Sequence, residues 1–491
     1  MSTPPVSRVP NEVLSEIFGL VKAEAPSYSP PPFLLGSVCS HWRNVVQNTP
    51  RLWTKIYITG SRRLPAHVGS GRNYPAILHE YFSHIGSLGL DVIIPRPDNR
   101  QNSGVAPWKP YSPHIAHQVM SILLDDHHHQ IRSFRAGSLN RVSYEALASH
   151  ASLPGRSFAM LEAVDIHFPG FGTNITDTNP HAFDPDNIIL SSPTNLFPNA
   201  PHLRIFNVST FKHYRHIPVT MPWDQLQVVD LRGTGPEQAI AMLSICPNIT
   251  DFTFAYQDYG RQPFDMTHMV RHSRVQRFCW RLGTRDVHRI DKDTHLFTHV
   301  DLPGVQELAW GSWIPSDDEC NWRPFFRRMT NVRKLICEYP GTHNVSRIWP
   351  LFNNVRELRL YENDFPEYSP VHRLYDLTVK AGHEALFPQL TTLHIELKRG
   401  TPYIVICLAR LVHSRRNYRV HWINPDDETE NVELLPNVPL SDHWTIHARL
   451  EEFSVKFTMH HPENVDFEPL QDLMVGTRAY HEYSKELWLK W

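Results

Sequence analysis

Groups of three apolar residues recur along most of the chain with one spacing: a first residue, a second three positions later and a third five positions later. Because strand side chains alternate between two faces, the second and third residues of a group share one face of a short strand. The clearest groups are Leu203/Phe206/Val208, Leu226/Val229/Leu231, Ile249/Phe252/Phe254, Val275/Phe278/Trp280, Val305/Leu308/Trp310, Val332/Leu335/Cys337, Val355/Leu358/Leu360 and Leu390/Leu393/Ile395. From Leu203 to Val355 the first residues stand 23 to 30 positions apart, which indicates a repeat.

Weaker groups extend the pattern toward both ends of the chain. They are Trp53/Ile56/Ile58, Ile85/Leu88/Leu90, Leu161/Val164/Ile166, Leu374/Leu377/Val379 and Leu450/Phe453/Val455, with Ile131/Phe134 incomplete. Amphipathic stretches such as 236–245 and 401–411 lie between groups and predict helices. Alternating strands and helices predict an α/β fold: a curved, mostly parallel sheet with helices on its convex side. The alternative is a chance run of apolar triplets in an ordinary α/β domain.

This spacing resembles the Leu-x-x-Leu-x-Leu signature of leucine-rich repeats. The asparagine usual at the eighth position is missing, since those sites hold residues such as Phe211, Thr234 and Gln257. We therefore expect an irregular solenoid over residues 57–460. Polar or proline-rich composition predicts loop insertions near residues 95–114, 169–197 and 423–443. A helix-like run from Pro469 to Trp491 lies in a predicted capping segment, residues 461–491.

Two amphipathic helices are predicted before the first group. Pro10 suits a helix start because it has no amide hydrogen to leave unpaired, and an apolar stripe follows at helical spacing. After a stop rich in proline, a second stripe from Leu34 to Val46 predicts a second helix facing the first. Some fifty residues with this much apolar surface can bury only part of it internally, so the rest should dock on something else.

These N-terminal residues resemble an F-box, over residues 5–56. The matching positions are an apolar-Pro pair, a Leu-x-x-Ile-Phe helix and a Val-Cys-x-x-Trp-Arg helix. The adaptor-binding residues that the resemblance implies are Val9, Pro10, Leu14, Ile17, Phe18, Val38, Cys39, Trp42 and Arg43. Val9 stands where leucine is usual, and residues 23–32 make a longer, proline-rich first connection. The alternative without the family is a helical cap on a larger domain.

The resemblance implies a substrate-recognition subunit of an SCF-type E3 ubiquitin ligase. Its F-box would bind a Skp-type adaptor, and through it a cullin, while the repeats bind an unknown protein target. The domain order resembles F-box proteins with C-terminal leucine-rich repeats, a class expanded in fungi. The alternative is a scaffold protein that holds the adaptor, or has lost it, and does not direct ubiquitination.

Charge and composition add no other partner class. The 491 residues are 41% hydrophobic and 20% charged with a net charge of -2, so the balance indicates neither nucleic acid nor a membrane surface. The chain has neither a signal-peptide core nor a membrane-length apolar run, so we expect a cytoplasmic or nuclear location. Six cysteines without paired spacing predict free thiols.

Candidate chemistry is sparse. The loop Arg232 to Pro236 lacks the third glycine of a dinucleotide site and the Gly-Lys-Ser/Thr of a phosphate loop. His127, His128 and His129 are adjacent, so their side chains diverge, and a solvated loop is favoured over a metal site. No nucleophile with a recognisable base occurs, so we expect no catalytic residue, no metal, no cofactor and no enzyme activity. A hydrolase or metal enzyme on an α/β domain is the alternative.

Residues between the buried strand positions should project onto the concave face. That face would carry Asp165, His167, Asp230, Arg232, Asp251, Arg277, Arg281, Glu307, Glu338, Glu357, Arg359, Tyr361, Lys380, His394 and Glu396. Most of these charges could simply solvate the sheet. Arginine and tyrosine are enriched at binding hot spots, so the predicted target-binding residues are Arg277, Arg281, Glu357, Arg359 and Tyr361.

Overall fold

The structure is a computed structural model of the chain. The described residues are 9–24, 31–58, 74–94, 113–137, 141–153, 155–167, 194–209, 219–256, 269–282, 293–311, 322–338, 347–361, 374, 377–378, 385–397, 407–408, 411, 414–415, 450, 452–457 and 487–490. Two of the predicted insertions, 95–114 and 169–197, fall mostly outside these residues, and the third, 423–443, falls wholly outside.

Three helices and a short 3-10 turn open the chain. They are α1 (Asn11–Glu24), α2 (Pro31–Val38), α3 (Ser40–Gln47) and the turn Pro50–Trp53. The single second helix predicted from the apolar stripe is wrong, because Cys39 is extended (φ -159°, ψ 169°) and divides it. The Cys39 thiol accepts a hydrogen bond from the Trp42 amide at 3.4 Å and so caps the start of α3. Pro31 opens α2 rather than stopping a helix, because the first helical position needs no amide hydrogen.

The chain divides into two compact units, residues 1–238 with 245–249, and residues 239–244 with 250–491. The elements that follow the three helices in the first unit are β1 (Lys55–Tyr57), α4 (Tyr74–Ile85), β2 (Leu90–Ile94), α5 (Pro113–Ser121), β3 (Ile131–Ala136), α6 (Arg141–Ala151), β4 (Ala163–His167), β5 (Thr194–Asn195), β6 (Ile205–Ser209), β7 (Val219–Thr220) and β8 (Val228–Thr234). Its main strands pair in parallel in the order β1-β2-β3-β4-β6-β8, while β5 pairs with β7.

Helix α7 (Pro236–Ile245) has residues in both units. The elements of the second unit are β9 (Asp251–Tyr256), β10 (Val270–Arg271), β11 (Arg277–Leu282), α8 (Asp293–His299), β12 (Val300–Asp301), β13 (Glu307–Gly311), α9 (Trp322–Arg327), β14 (Lys334–Glu338), β15 (Glu357–Tyr361), β16 (Thr392–Leu397), β17 (Glu452–Phe457) and β18 (Leu487–Lys490). The strand order is β9-β11-β13-β14-β15-β16-β17-β18. Only β18 is antiparallel among these, so the predicted α/β class with a large, mostly parallel sheet is confirmed.

Equivalent positions of the apolar groups lie side by side in this sheet. Phe278 of β11 is in register with Phe252 on one side and Leu308 on the other, and all three are fully buried. The backbone repeats as well: the carbonyl of Gln306 accepts from the amides of Arg333 and Lys334 at 2.8 and 3.0 Å. One inward row of side chains and one repeated backbone contact therefore join neighbouring strands.

Two weak groups and the C-terminal run were assigned wrongly. Leu88 is 44% exposed, and the Lys55↔Asp91 register puts Gly89 at the first position, followed by buried Val92 and Ile94. A Cβ on Gly89 would lie 2.5 Å from the Cβ of Arg132, so the expected apolar residue does not fit there. Leu374 and Leu377 are buried but helical, and Val379 is outside the described residues. In the predicted helix-like C-terminal run, the described residues form the strand β18.

Asparagines that directly precede three of the groups make the same contact with the preceding turn. Asn331 donates through Nδ2 to the Pro303 carbonyl at 3.0 Å, and Asn354 donates likewise to Thr330 at 2.8 Å. Asn248 makes the same bond to the Asp224 carbonyl. Three of the turns between strands are thus linked by an asparagine side chain one position ahead of the group.

Candidate functional site

Exposed apolar side chains concentrate on the first two helices. Of the ten large apolar residues that are exposed in the described part of the chain, six lie between positions 13 and 38: Val13, Ile17, Leu20, Val21, Leu34 and Val38. We call these six residues the apolar face. Exposed apolar residues scattered singly are normal, whereas six on two helices that contact each other indicate an interaction site.

Helix α1 has two apolar stripes, one buried and one exposed. Leu14 (3% exposed) and Phe18 (0%) point into the protein, where the Phe18 ring lies 4.8 Å from the Trp42 ring. Ile17 is 44% exposed and belongs to the apolar face. As predicted adaptor-binding residues, Leu14 and Phe18 therefore need correction: both are inside the fold and unavailable to a partner docked on its surface.

The remaining predicted adaptor residues divide in the same way. Val38, at the end of α2, is 60% exposed. Pro10 is exposed and Val9 is half-buried. Cys39 and Trp42 are half-buried and serve the α2–α3 junction, since the Cys39 thiol caps α3.

Arg43 is exposed, but its Nε donates to the Gly36 carbonyl at 3.0 Å and ties α3 to α2. The residues predicted to bind the adaptor did not include Val13, Leu20, Val21 and Leu34. The signal was the spacing of positions 13, 17, 20 and 21, which places them on one side of a helix.

The end of this helical region is tied back to α1 by polar contacts. Arg51 forms an ion pair with Glu16 at 2.6 Å and donates to the Ser15 hydroxyl at 3.1 Å. Lys22 donates to the Arg51 carbonyl at 2.6 Å and to the Thr54 hydroxyl at 2.9 Å. Burial lowers the pKa of Lys22 to about 8, although Asp91 raises it. The helix that carries most of the apolar face is therefore held at a fixed orientation.

Aromatic packing joins the same helices to the first strand and to α4. The Trp53 ring meets Phe33 edge-on at 5.5 Å and Tyr81 at 5.2 Å, and it stacks on His84 at 4.6 Å. The Trp53 indole nitrogen donates to the Val46 carbonyl at 2.9 Å. Trp53, the first residue of a weak apolar group, therefore also joins the helical region to the strand that follows it.

The outward side of the second unit carries a ladder of alternating charges. Arg277 pairs with Asp251 and with Glu307, each at 3.1 Å, and Lys334 pairs with Glu307 at 3.2 Å and with Glu357 at 3.6 Å. These five residues are in register on β9, β11, β13, β14 and β15. We call them the charge ladder. Sequence reasoning missed Lys334, although it has the same place in its group as Arg277.

Three of the predicted target-binding residues are already engaged within the protein. Arg277 and Glu357 belong to the charge ladder, and Arg359 pairs with Glu357 at 2.5 Å. Burial lowers the pKa of Arg277, but Asp251 and Glu307 outweigh it, so the pKa is raised above its usual value. Arg281 and Tyr361 are half-buried on the same side. The side chain of Glu338 and all of Lys380 are outside the described residues.

The first unit has a smaller outward charge cluster. Arg232 pairs with Asp230 at 2.6 Å. Burial raises the pKa of Asp165, although Arg135 and Arg232 lower it. Asp165 is in register with Arg135 on one side and Asn207 on the other.

The histidines at 127–129 do not form the solvated loop that we predicted. His127 stacks on Phe82 at 3.8 Å and is half-buried, and burial lowers its pKa. His128 contacts the Asp125 carbonyl at 3.2 Å. Among the described side chains, no three histidine, cysteine, aspartate or glutamate residues are placed to hold a metal ion together. None of the described helices has the length and apolar character to cross a bilayer.

Comparison with known families identifies the helical region. Residues 6–59 match the F-box-like family model. No curated protein matches the chain. The N-terminal region is thus an F-box-like domain, the type of module that binds Skp-type adaptors and is typical of SCF substrate receptors. The matched residues include the whole apolar face, while the strands of the second unit lie outside the match.

Proposed function

We propose that this protein is a substrate receptor of an SCF-type ubiquitin ligase. Its F-box-like domain binds a Skp-type adaptor, and through it a cullin, by covering the apolar face. The parallel strands form an irregular leucine-rich-repeat-like solenoid that presents a protein target. The observation that carries the proposal is the concentration of exposed apolar side chains within the family-matched residues.

The apolar face has the physical character of a docking surface. Ile17, in the middle of α1, and Val38, at the end of α2, are large and exposed, and both helices pack on α3. Covering an aliphatic side chain of this kind contributes about 1.5 to 3 kcal/mol relative to leaving it in water. Leu14 and Phe18 support the surface from inside without forming it.

The proposal assigns no catalytic residue to this chain, because ubiquitin transfer is performed by other subunits of such ligases. It places the protein in the cytoplasm or nucleus, where those subunits work. A scaffold that holds the adaptor without directing ubiquitination is the alternative. Native purification separates the two, because a substrate receptor should bring down a cullin together with the adaptor.

The direct test is capture of a purified Skp-type adaptor by the full chain carrying Ile17→Asp and Val38→Asp. We expect a loss of affinity of about 100-fold or more, since two apolar anchors are replaced by charges that would be buried. The melting temperature should hardly change, because both side chains are exposed in the free protein. The matched control is Met269→Asp, which changes an apolar residue that is also exposed, at 57%, in the second unit. Undiminished capture by the double variant would refute the adaptor assignment.

A further inference from the structure

Two arginines stand side by side where neighbouring strands begin. Arg333 directly precedes β14 and Arg356 directly precedes β15. The Arg333 carbonyl accepts from the Arg356 amide at 2.7 Å and from the Glu357 amide at 3.0 Å. The two backbones are thus hydrogen-bonded neighbours, about 4.8 Å apart as adjacent strands are. Both arginine side chains are exposed.

Among the residues that the structure describes, none forms an ion pair with either arginine of this pair. The described part of the chain likewise provides no side-chain hydrogen bond to Arg333 or Arg356. One residue further along each strand, the charge ladder alternates, since Lys334 pairs with Glu307 and Glu357. The arginine pair is therefore an exception to the local rule of alternating charge. Like charges on neighbouring strands repel, so the pair reduces the stability of the isolated protein.

In the first unit, the equivalent positions on two neighbouring strands carry opposite charges. Arg204 directly precedes β6 and is exposed. Its neighbour at the equivalent place is Glu162, whose carbonyl accepts from the Arg204 amide at 2.9 Å. A position that holds opposite charges in the first unit thus holds two like charges in the second.

We propose that Arg333 and Arg356 form a recognition point for an acidic segment, rich in glutamate or aspartate, of a protein partner. The guanidinium group is a planar fork that pairs with a carboxylate through two hydrogen bonds, and two forks side by side suit consecutive carboxylates. Nucleic acid fits less well, because its binding rests on many phosphate contacts, whereas this chain has a net charge of -2 and only a pair of arginines here. The inference rests on the proposed target-binding function and gives it a chemical class of target.

The test uses the full-length protein and a fluorescein-labelled poly-glutamate peptide, with binding followed by fluorescence anisotropy at low and physiological salt. We expect wild type to bind and the Arg333→Gln, Arg356→Gln double variant to bind about tenfold more weakly, since each exposed arginine-carboxylate pair contributes modestly. The matched control is Arg204→Gln, which should bind like wild type. Arg204→Gln removes one positive charge and the double variant removes two, so the single variants Arg333→Gln and Arg356→Gln are measured beside it.

Three results would overturn the inference: no binding by wild type, equal binding by the double variant, or an equal loss in Arg204→Gln and the single variants. The inference would also fail if a single-stranded DNA oligonucleotide displaced the labelled peptide at a lower charge concentration than unlabelled poly-glutamate does. That result would indicate a phosphate ligand. Adaptor capture is measured on the same samples. Its persistence in all variants separates a failure of this inference from a failure of the proposed adaptor binding.

Discussion

The helices of residues 11–47 and the strands of the second unit are both built on regularly spaced apolar residues, but they leave different surfaces uncovered. On β11, β13 and β15 the apolar positions Phe278, Leu308 and Leu358 are fully buried, and the outward side is charged. On α1 one apolar stripe is buried and the next, which includes Ile17, remains in contact with water.

This difference separates apolar residues that build the fold from apolar residues that serve binding. A strand in a continuous sheet has a neighbour on each side and helices against one face, so its inward positions are covered within the chain. The helix α1 packs on α3 and the turn Pro50–Trp53 through a single side, because the region is too small to surround it. The apolar face is what remains, and it lies within the F-box-like match.

The largest expected effect contrasts one residue from each region. Phe278→Ala should lower the free energy of unfolding by about 3 to 5 kcal/mol, because it removes a fully buried ring and leaves a cavity between Phe252 and Leu308. Ile17→Ala should change it by no more than about 0.5 kcal/mol, since the side chain is already in water. Urea denaturation followed by circular dichroism measures both. A large loss of stability in Ile17→Ala would show that the apolar face is part of the core.

The sequence was sufficient for the strands whose inward positions repeat clearly, but it could not show which side of α1 is covered. Helical spacing alone gives Leu14 and Ile17 equal standing, and only the packing of Trp42 against Phe18 decides between them. The division of the second helix at Cys39 depends on one extended residue, which periodicity does not reveal. The apolar group at β2 was hidden because close packing against Arg132 requires Gly89 at its first position.

Binding residues on the sheet were harder to predict, for a related reason. An outward position is easy to derive from alternation, but whether its charge is free depends on the residue in register on the next strand. Arg277 was chosen as a target-binding residue, yet Asp251 and Glu307 neutralise it. Arg333 and Arg356 were not chosen, because they precede the strands and fall outside the alternation.

A second prediction concerns Arg415, a charged side chain that is buried in the second unit. Arg415 is 3% exposed, and its guanidinium donates to the carbonyls of Leu377, Leu386 and Phe387 at 3.0, 2.5 and 3.3 Å. Burial lowers its pKa to about 10. No carboxylate among the described residues pairs with it, and these three carbonyls compensate in part for its burial.

Replacing Arg415 by Met should therefore cost about 3 kcal/mol, because three buried carbonyls lose their donors. Arg415→Lys keeps the positive charge but lacks the planar fork, so it should recover only part of that loss. Thermal unfolding of the two variants beside wild type provides the measurement. If Arg415→Met is as stable as wild type, the three hydrogen bonds do not hold this part of the chain together.

The smallest expected effect tests whether the charge ladder is structural support rather than a binding surface. Glu307 lies between Arg277 and Lys334, so Glu307→Gln removes two ion pairs and leaves two cations on either side of a neutral residue. Each exposed or half-exposed pair contributes about 0.2 to 1 kcal/mol, so the variant should lose about 1 kcal/mol at low salt and less in molar salt, where charges are screened. Lys334→Gln should cost less in the Glu307→Gln background than in wild type, because the Glu307–Lys334 pair is already lost there. Chemical denaturation of wild type, both single variants and the double variant gives the coupling energy directly.

A coupling energy near zero at low salt would mean that the ladder residues do not depend on one another. They would then be available to a target, and the difference between a self-neutralised strand surface and an uncovered apolar face would no longer hold.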